Sequence, residues 1–513
     1  MDAEAARLPL PEPLTPPPLS RAWWRRFETP YMTLSLVAVA FAVVLAARRP
    51  WGIDFWVHAT AVDRLSRDLL DPGGLQITGA TAESSYYSPY TVVVAMLSQV
   101  SGASAVTALS WMAPPAVALL CFGFYRFVRL FSAELWFPVF ALAVAVTLWG
   151  WDMWTWSGFL SVNSLPVILP LPSVVASALM FLVWTMFARA IAEPRAWRWT
   201  GMASLATLIV LTHQITALNT AIGCLAIAVW RFPKLDSRVL PGLLTCLGVS
   251  IALVISWPYY SVVALLGSGA VDGSHQVLYS QPWLHFGFAV LGLPALWLRW
   301  RRDRRDVLVW MAVLGLMAVA AGWVTGHYTY ARVLPVPMVA IPLALVLEIY
   351  RNRCNILGTR LWTAATALTC SLALAVNSGN LLYVLPPTPA LADVQFHLNR
   401  NPVPTDYSWL RDVTSRGDVV MTDDLQARRI ITAYGLFTVA PGWQDPVVPD
   451  TDNRGAAVER FFTDSDVRDR AAIAREYGVD WILDVPGGVE YAAGDAEPPA
   501  SGPEGQRLYR VSG

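Results

Sequence analysis

The chain has 513 residues, of which 55% are hydrophobic and only 14% charged, and 24 are tryptophan. A soluble globular domain carries about a quarter charged residues, so most of this chain belongs in a lipid bilayer. Acidic and basic residues cancel at 37 each, and no basic stripe gathers along the chain, which argues against a nucleic-acid partner.

Residues 1–26 are Pro-rich and polar, with Pro16-Pro17-Pro18, and are expected to form a disordered tail. Apolar runs follow. A crossing needs about 20 apolar residues, and runs at 31–47, 104–124, 134–150, 174–190, 199–212, 215–231, 240–260, 283–299, 307–323, 333–350 and 360–378 predict about eleven transmembrane helices in a membrane domain over 27–380. The short apolar piece 89–99 is read as re-entrant or interfacial. Arg21, Arg25 and Arg26 precede the first run. Arg126 and Arg129, Arg189 to Arg198, Arg231 to Arg238, Arg299 to Arg305, and Arg351 and Arg353 follow every second one. If the spans alternate, these clusters share one side, which the positive-inside rule makes cytoplasmic. The N-terminus is then inside, in a cell inner (plasma) membrane, and the part beyond about residue 380 is outside.

The opposite face collects the unusual residues. Asp54 and His58 follow the first span, four residues apart and so on one side of a helix. They open an amphipathic juxtamembrane helix, Asp54 to Leu70. Two readings stand: an interfacial helix start with a capping Asp and Trp anchors, or a chemical pair held at the membrane surface for a purpose. The second outer loop carries Trp149, Trp151, Asp152, Trp154 and Trp156; His213 sits at the hairpin of spans five and six. Gly326-His327-Tyr328-Thr329-Tyr330-Ala331-Arg332 joins spans nine and ten. Arg332 breaks the charge bias at the outer edge and needs a partner, for which an anion is suited. Five of six histidines map to this face and the sixth, His397, to the outer part. Interfacial aromatic belts and solvated histidines explain each item singly; their convergence is what stands out.

Residues 387–513 turn polar and alternate helix with strand, predicting an extracytoplasmic α/β domain with parallel-sheet units. Asp406 to Ser415 and Asp469 to Tyr477 read as helices; Asp418 to Thr422 and Val479 to Asp484 read as strands. Asp423-Asp424 fits strand-end turn chemistry as well as a metal or base pair. The five cysteines lie in apolar or inner segments, and neither a disulfide framework nor a Cys-based metal spacing is present.

The whole arrangement resembles the GT-C superfamily of integral-membrane glycosyltransferases, in the manner of its bacterial cell-envelope branch. The likeness is carried by Gly52-Ile53-Asp54-Phe55-Trp56-Val57-His58 after span one and by the long first loop with its juxtamembrane helix. Asp152, Thr212-His213, Tyr330-Ala331-Arg332 and the outer α/β domain add to it. It implies an inverting transferase that takes a sugar from a polyprenyl-phosphate donor to a glycan or glycolipid acceptor. The chain departs from the protein-modifying members, having no Trp-Trp-Asp motif in its C-terminal part and no paired acidic dipeptide in its first loop. On this resemblance Asp54 is the expected general base, with His58 tuning it or binding acceptor and Asp152 the other carboxylate for that role. Arg332 with His327 or His213 is the expected phosphate clamp, Tyr330 lies beside it, and Trp151, Trp154 and Trp156 offer sugar-stacking faces. Members differ in needing a divalent cation, and these residues leave that open. A lipid-linked-sugar transporter or a non-catalytic envelope scaffold are the competing readings; a transporter would place polar groups or broken helices near mid-bilayer.

Overall fold

The computed structural model describes residues 29–52, 54–80, 83–231, 236–265, 272–351, 356–386, 388, 401–443, 450–463, 466–488 and 500–511. The tail at 1–26, Cys354 and His397 lie outside them.

The membrane part begins with α1 (Thr29–Arg48), α2 (Asp54–Arg67), α3 (Pro89–Ser101), α4 (Ala105–Ser110), α5 (Ala113–Val128), α6 (Phe137–Thr147) and the single turn α7 (Leu165–Ile168). It continues with α8 (Pro172–Ala192), α9 (Ala196–Thr212), α10 (Gln214–Arg231), α11 (Val239–Ile255) and the short α12 (Val262–Leu265), α13 (Asp272–His275) and α14 (Pro282–Phe286). It closes with α15 (Leu293–Arg302), α16 (Val307–Thr325), α17 (Pro335–Arg351) and α18 (Ile356–Asn377).

Among the described residues six helices are long and apolar enough to cross a membrane: Thr29–Arg48, Ala105–Val128, Pro172–Ala192, Val307–Thr325, Tyr328–Arg351 and Leu357–Asn377. The expected span 283–299 is not one rod. It is α14, a 3₁₀ turn over Gly287–Gly292, and then α15. Pro282 and Pro294 sit at helix starts, where a missing N–H costs nothing. The piece at 89–99 is the helix α3, opened by a Ser88–Thr91 capping box and stopped by Gly102 at φ 68°.

Small residues let the long helices approach. A Cβ on Gly123 would meet the Ala178 carbonyl at 2.4 Å, and one on Gly223 would enter the Trp184 ring at 2.1 Å. That Trp184 indole donates to the Thr220 carbonyl at 2.9 Å, and the Phe127 and Phe181 rings pack against it. At the far end of α17, fully buried Glu348 accepts from Arg302 at 2.5 Å and lies 3.7 Å from Arg299, which also binds Asp306 at 2.5 Å. Asp306 caps α16. This knot ties α15, α16 and α17 together. It sits sixteen residues along the chain from Arg332, roughly 24 Å at helical rise.

The C-terminal domain contains β1 (Val419–Met421), α19 (Leu425–Ile430), β2 (Phe437–Thr438), α20 (Thr451–Thr463), α21 (Val467–Tyr477), β3 (Trp481–Asp484), β4 (Ala500–Ser501) and β5 (Arg507–Arg510). The sheet order is β2-β1-β3-β5-β4; the first three strands are parallel, and β5 runs antiparallel to both its neighbours. Strand alternation divides the burial. Val419, Met421, Ile482 and Tyr509 pack with Phe461 and Phe462, whereas Val420, Trp481, Leu483 and Leu508 join the core shared with the membrane part. Two strands were read closely from the sequence, but Asp406 to Ser415 is only a 3₁₀ turn over Ser408–Asp412. Asp424 accepts from the Ala427 N–H at 2.5 Å and caps α19, which is turn chemistry.

The domain is seated on α2. Thr60 and Thr432 share a 2.8 Å hydroxyl hydrogen bond, and buried Arg64 donates to the Leu436 carbonyl at 2.7 Å with its guanidinium 3.7 Å over the Phe437 ring. Gln76 donates to the Trp443 carbonyl at 3.1 Å and accepts from the Trp443 N–H at 2.8 Å.

Candidate functional site

Asp54 is the first residue of α2, half-buried where that helix meets both the membrane helices and the C-terminal domain. Burial pushes its carboxyl above the ordinary carboxylate range, and the guanidinium groups of Arg332 and Arg429 pull it back down. One turn along, His58 stands edge-on to Tyr86, with ring centroids 5.3 Å apart. Burial drives its pKa from 6.5 to about 3, so the ring is neutral. Its Nδ1 is buried without a hydrogen-bond partner.

His213 lies between α9 and α10. Its Nδ1 accepts from the Thr216 N–H at 3.2 Å and pairs with the Thr216 hydroxyl at 2.8 Å. An Nδ1 that accepts from a backbone amide carries no proton, which leaves the proton on Nε2. Burial holds this imidazole well below its usual range, helped by Arg332 and then His58.

Arg332 is 7% exposed in the 3₁₀ turn Tyr328–Val333 that leads into α17. Its Nη2 donates to the Ser157 carbonyl at 2.7 Å, and its Nη1 donates to His275 Nε2 at 3.0 Å, so His275 is neutral there. The guanidinium carbon is 5.7 Å from the Trp156 ring centroid. Gly158 closes the corner at φ 85°. A Cβ there would be 3.8 Å from His213 Cε1 and 4.0 Å from Arg332 Nη2, so backbone conformation, not crowding, calls for glycine.

Amides hold the loop that presents Ser157. Asn377 donates to the Gly150 carbonyl at 3.0 Å and accepts from the Met153 N–H at 3.1 Å, and Asn163 donates to the Met153 carbonyl at 2.5 Å. Asn380 donates to the Asn163 carbonyl at 2.8 Å and accepts from the Asn401 N–H at 2.8 Å. Asn401 reaches the Thr155 hydroxyl at 2.5 Å.

The structure thus brings Asp54, His58, His213 and Arg332 together, with Trp156 beside Arg332. The remaining expected residues stand elsewhere. Asp152 and Trp151 are exposed at the start of the loop, their N–H groups bonded to the Leu284 carbonyl, with Trp151 6.3 Å from Phe288. His285 bonds the Asp152 carbonyl and stacks on Trp154. His327 is half-exposed beside Asp272 at 3.1 Å, and Tyr330 is 40% exposed, 5.9 Å from His327. Asp272 also accepts from the Thr329 N–H at 2.9 Å, so these residues brace α13, which carries His275. Sequence reasoning gave no role to Tyr86, Arg429 or Gly158 and saw His275 only as one outer histidine. Arg429 carried no local signal, because its relation to Asp54 spans 375 positions of chain. Among the described residues no three or more His, Cys, Asp or Glu gather as a metal-holding group.

A half-open apolar groove of about 260 Å³ ends next to this cluster. Its lining includes Tyr90, Val93, Leu119, Leu179, Leu208 and Thr212, the residue before His213.

No protein-family model matches the sequence, and no curated protein matches it either. Solved structures do resemble it. An oligosaccharyltransferase, AglB, from Archaeoglobus fulgidus, in complex with an inhibitory peptide and a dolichol-phosphate, superposes with a TM-score of 0.50 at 12% identity, covering 90% of this chain and 70% of its own. The apo form of the Archaeoglobus fulgidus oligosaccharyltransferase gives a TM-score of 0.51 at 13% identity with the same coverage. The chain therefore shares the fold of these oligosaccharyltransferase structures.

Proposed function

We propose that this protein is a membrane glycosyltransferase. On this reading it moves a sugar from a polyprenyl-phosphate donor to an envelope glycan or glycolipid acceptor on the outer face, with inversion. On the same reading the N-terminus is inside and the 387–513 domain outside, which the arginine distribution supports. The observation that carries the reading is the buried meeting of Asp54 with Arg332, flanked by neutral His58 and His213. The fold and the lipid phosphate bound by AglB support a lipid-linked donor.

In the proposed step Asp54 accepts the proton of the acceptor hydroxyl as its oxygen attacks the anomeric carbon. The bond from that carbon to the phosphate oxygen breaks, and the polyprenyl phosphate leaves with its electron pair. Arg332 meets the developing charge: its guanidinium is a fixed cation, and Ser157, His275 and Trp156 hold its plane. The Nε2–H of His213 is a second donor. The prenyl chain lies in the apolar groove beside Thr212. Trp151 and Asp152, exposed at the rim, are placed for acceptor contact rather than chemistry, and His327 and Tyr330 act on Arg332 through the brace at Asp272.

The test is transfer from radiolabelled polyprenyl-phosphate sugars to membrane lipids and glycans. Asp54→Asn keeps shape and should bind donor, but transfer should fall by roughly two to four orders of magnitude, the usual loss for a general base. Asp152→Asn should stay within a few-fold of the parent. The reverse pattern exchanges the two roles, and no effect from either refutes the site.

A further inference from the structure

Arg429 belongs to the outer domain, yet its charge acts on Asp54 and Tyr86 in the membrane-side cluster. The geometry explains why. The first turns of α2 rest on the segment just beyond α19: Trp56 meets Tyr434 with ring centroids 6.0 Å apart, and Thr60 bonds Thr432. Arg429 is anchored from behind. Its Nε donates to the Gly442 carbonyl at 2.9 Å, and its guanidinium carbon lies 4.6 Å over the Trp443 ring. Trp443 is clasped in turn by Gln76. Gly442 abuts the helix backbone so closely that a Cβ would come within 2.7 Å of Arg428 C and Arg429 N. This anchoring commits Nε and fixes the guanidinium against Trp443.

We propose that Arg429 is a positioning residue that acts through the base: it is the counter-cation that keeps Asp54 ionised once a donor phosphate has engaged Arg332. The inference rests on the roles given above to Asp54 and Arg332. A half-buried carboxylate facing two guanidinium groups is balanced while the site is empty. A phosphate arriving at Arg332 neutralises that cation and sets an anion beside Asp54. Without Arg429, burial and the new anion would both favour the protonated carboxyl, which cannot accept a proton. The outer domain therefore supplies a charge that the membrane domain lacks at this point.

The groups facing Asp54 are Arg332 from the turn before α17, Arg429 from α19, Tyr86 from the first loop, and His58 on its own helix, with His213 and His275 behind them. Tyr90 on α3 and Tyr434 also border α2 but are tied to the Pro170 carbonyl and to Asp406. Asp63, Arg64 and Arg67 lie two or more turns further along α2.

The experiment is the pH profile of transfer in the full-length protein, with donor binding measured alongside, for the parent, Arg429→Gln, Arg429→Met, Arg429→Lys and Asp54→Asn. Arg429→Gln should move the acid limb of the profile up by about one to two pH units, the usual effect of losing one opposite charge. Donor affinity should stay within a few-fold. Arg429→Lys should restore the limb, and Arg429→Met, whose apolar stem still covers Trp443, should show the same raised limb as Arg429→Gln. An unmoved limb in both neutral variants, with Asp54→Asn inactive, overturns the role of Arg429 and leaves the base in place. Loss of donor affinity in step with rate would make Arg429 a donor ligand and also overturns it. Full transfer by Asp54→Asn instead overturns the base, and this inference with it.

Discussion

His58 couples the candidate site to the stability of the protein. In the unfolded chain an imidazole takes its proton near 6.5, but in the fold burial lowers that to about 3. Between those values the unfolded state binds more protons, so stability falls as pH drops through 6.5 toward 3 and is fully present above 6.5. The shift corresponds to about 5 kcal/mol at most, an upper bound because His58 is not fully enclosed. At pH 5 the same relation gives a loss of about 2 kcal/mol relative to pH 8. His58→Phe keeps a ring against Tyr86 and removes the titration. Thermal unfolding in detergent, followed by tryptophan fluorescence at pH 8 and pH 5, measures the difference. At about 2 cal/mol/K per residue, 2 kcal/mol is a shift on the order of 2 °C. Acidification should lower the parent's melting temperature by that much more than the variant's. Parallel pH dependences in the two proteins would show that His58 is not buried neutral.

Arg332→Lys, a point charge in place of a planar fork, should keep weak transfer, whereas Arg332→Ala should keep very little; equal donor binding by both and the parent would reduce Arg332 to an interfacial anchor. A reporter active only outside the cytoplasm should be active when fused after Gly513 and silent after Arg304, and the opposite at either position would mean a miscounted span. Gly223→Ala should cost about 1–3 kcal/mol, because the added methyl enters the Trp184 ring between α8 and α10. An unchanged melting temperature would mean that these helices can part.

The sequence exposed what is local and periodic. Apolar runs marked the long helices, and the arginine bias suggested their orientation. The short apolar runs in Asp418 to Thr422 and Val479 to Asp484 marked two of the three parallel strands. Asp54 and His58 could be paired because helical spacing is visible in a single segment. The partners of Arg332 could not. Ser157 and His275 are 175 and 57 residues away, and only the folded loop and α13 bring them to it. The same limit hid Arg429. Trp151, Asp152, His327 and Tyr330 were grouped with the site on an expected shared face, which is a weaker constraint than contact; in the structure Trp151 and Asp152 bond the Leu284 carbonyl, and His327 pairs with Asp272. Over 283–299 the helix is interrupted by a 3₁₀ turn that mean hydropathy does not register.

The amide lattice of Asn163, Asn377, Asn380 and Asn401 gives the site two halves that respond to different things. Carboxamides neither gain nor lose protons in water of ordinary pH. The loop that hands the Ser157 carbonyl to Arg332 therefore keeps its shape while the imidazoles and carboxyl opposite it titrate. Mild acid therefore acts on the wall that carries Asp54 and His58. A molecule silenced by mild acid should recover on neutralisation as fast as protons leave, because the other wall never had to be rebuilt.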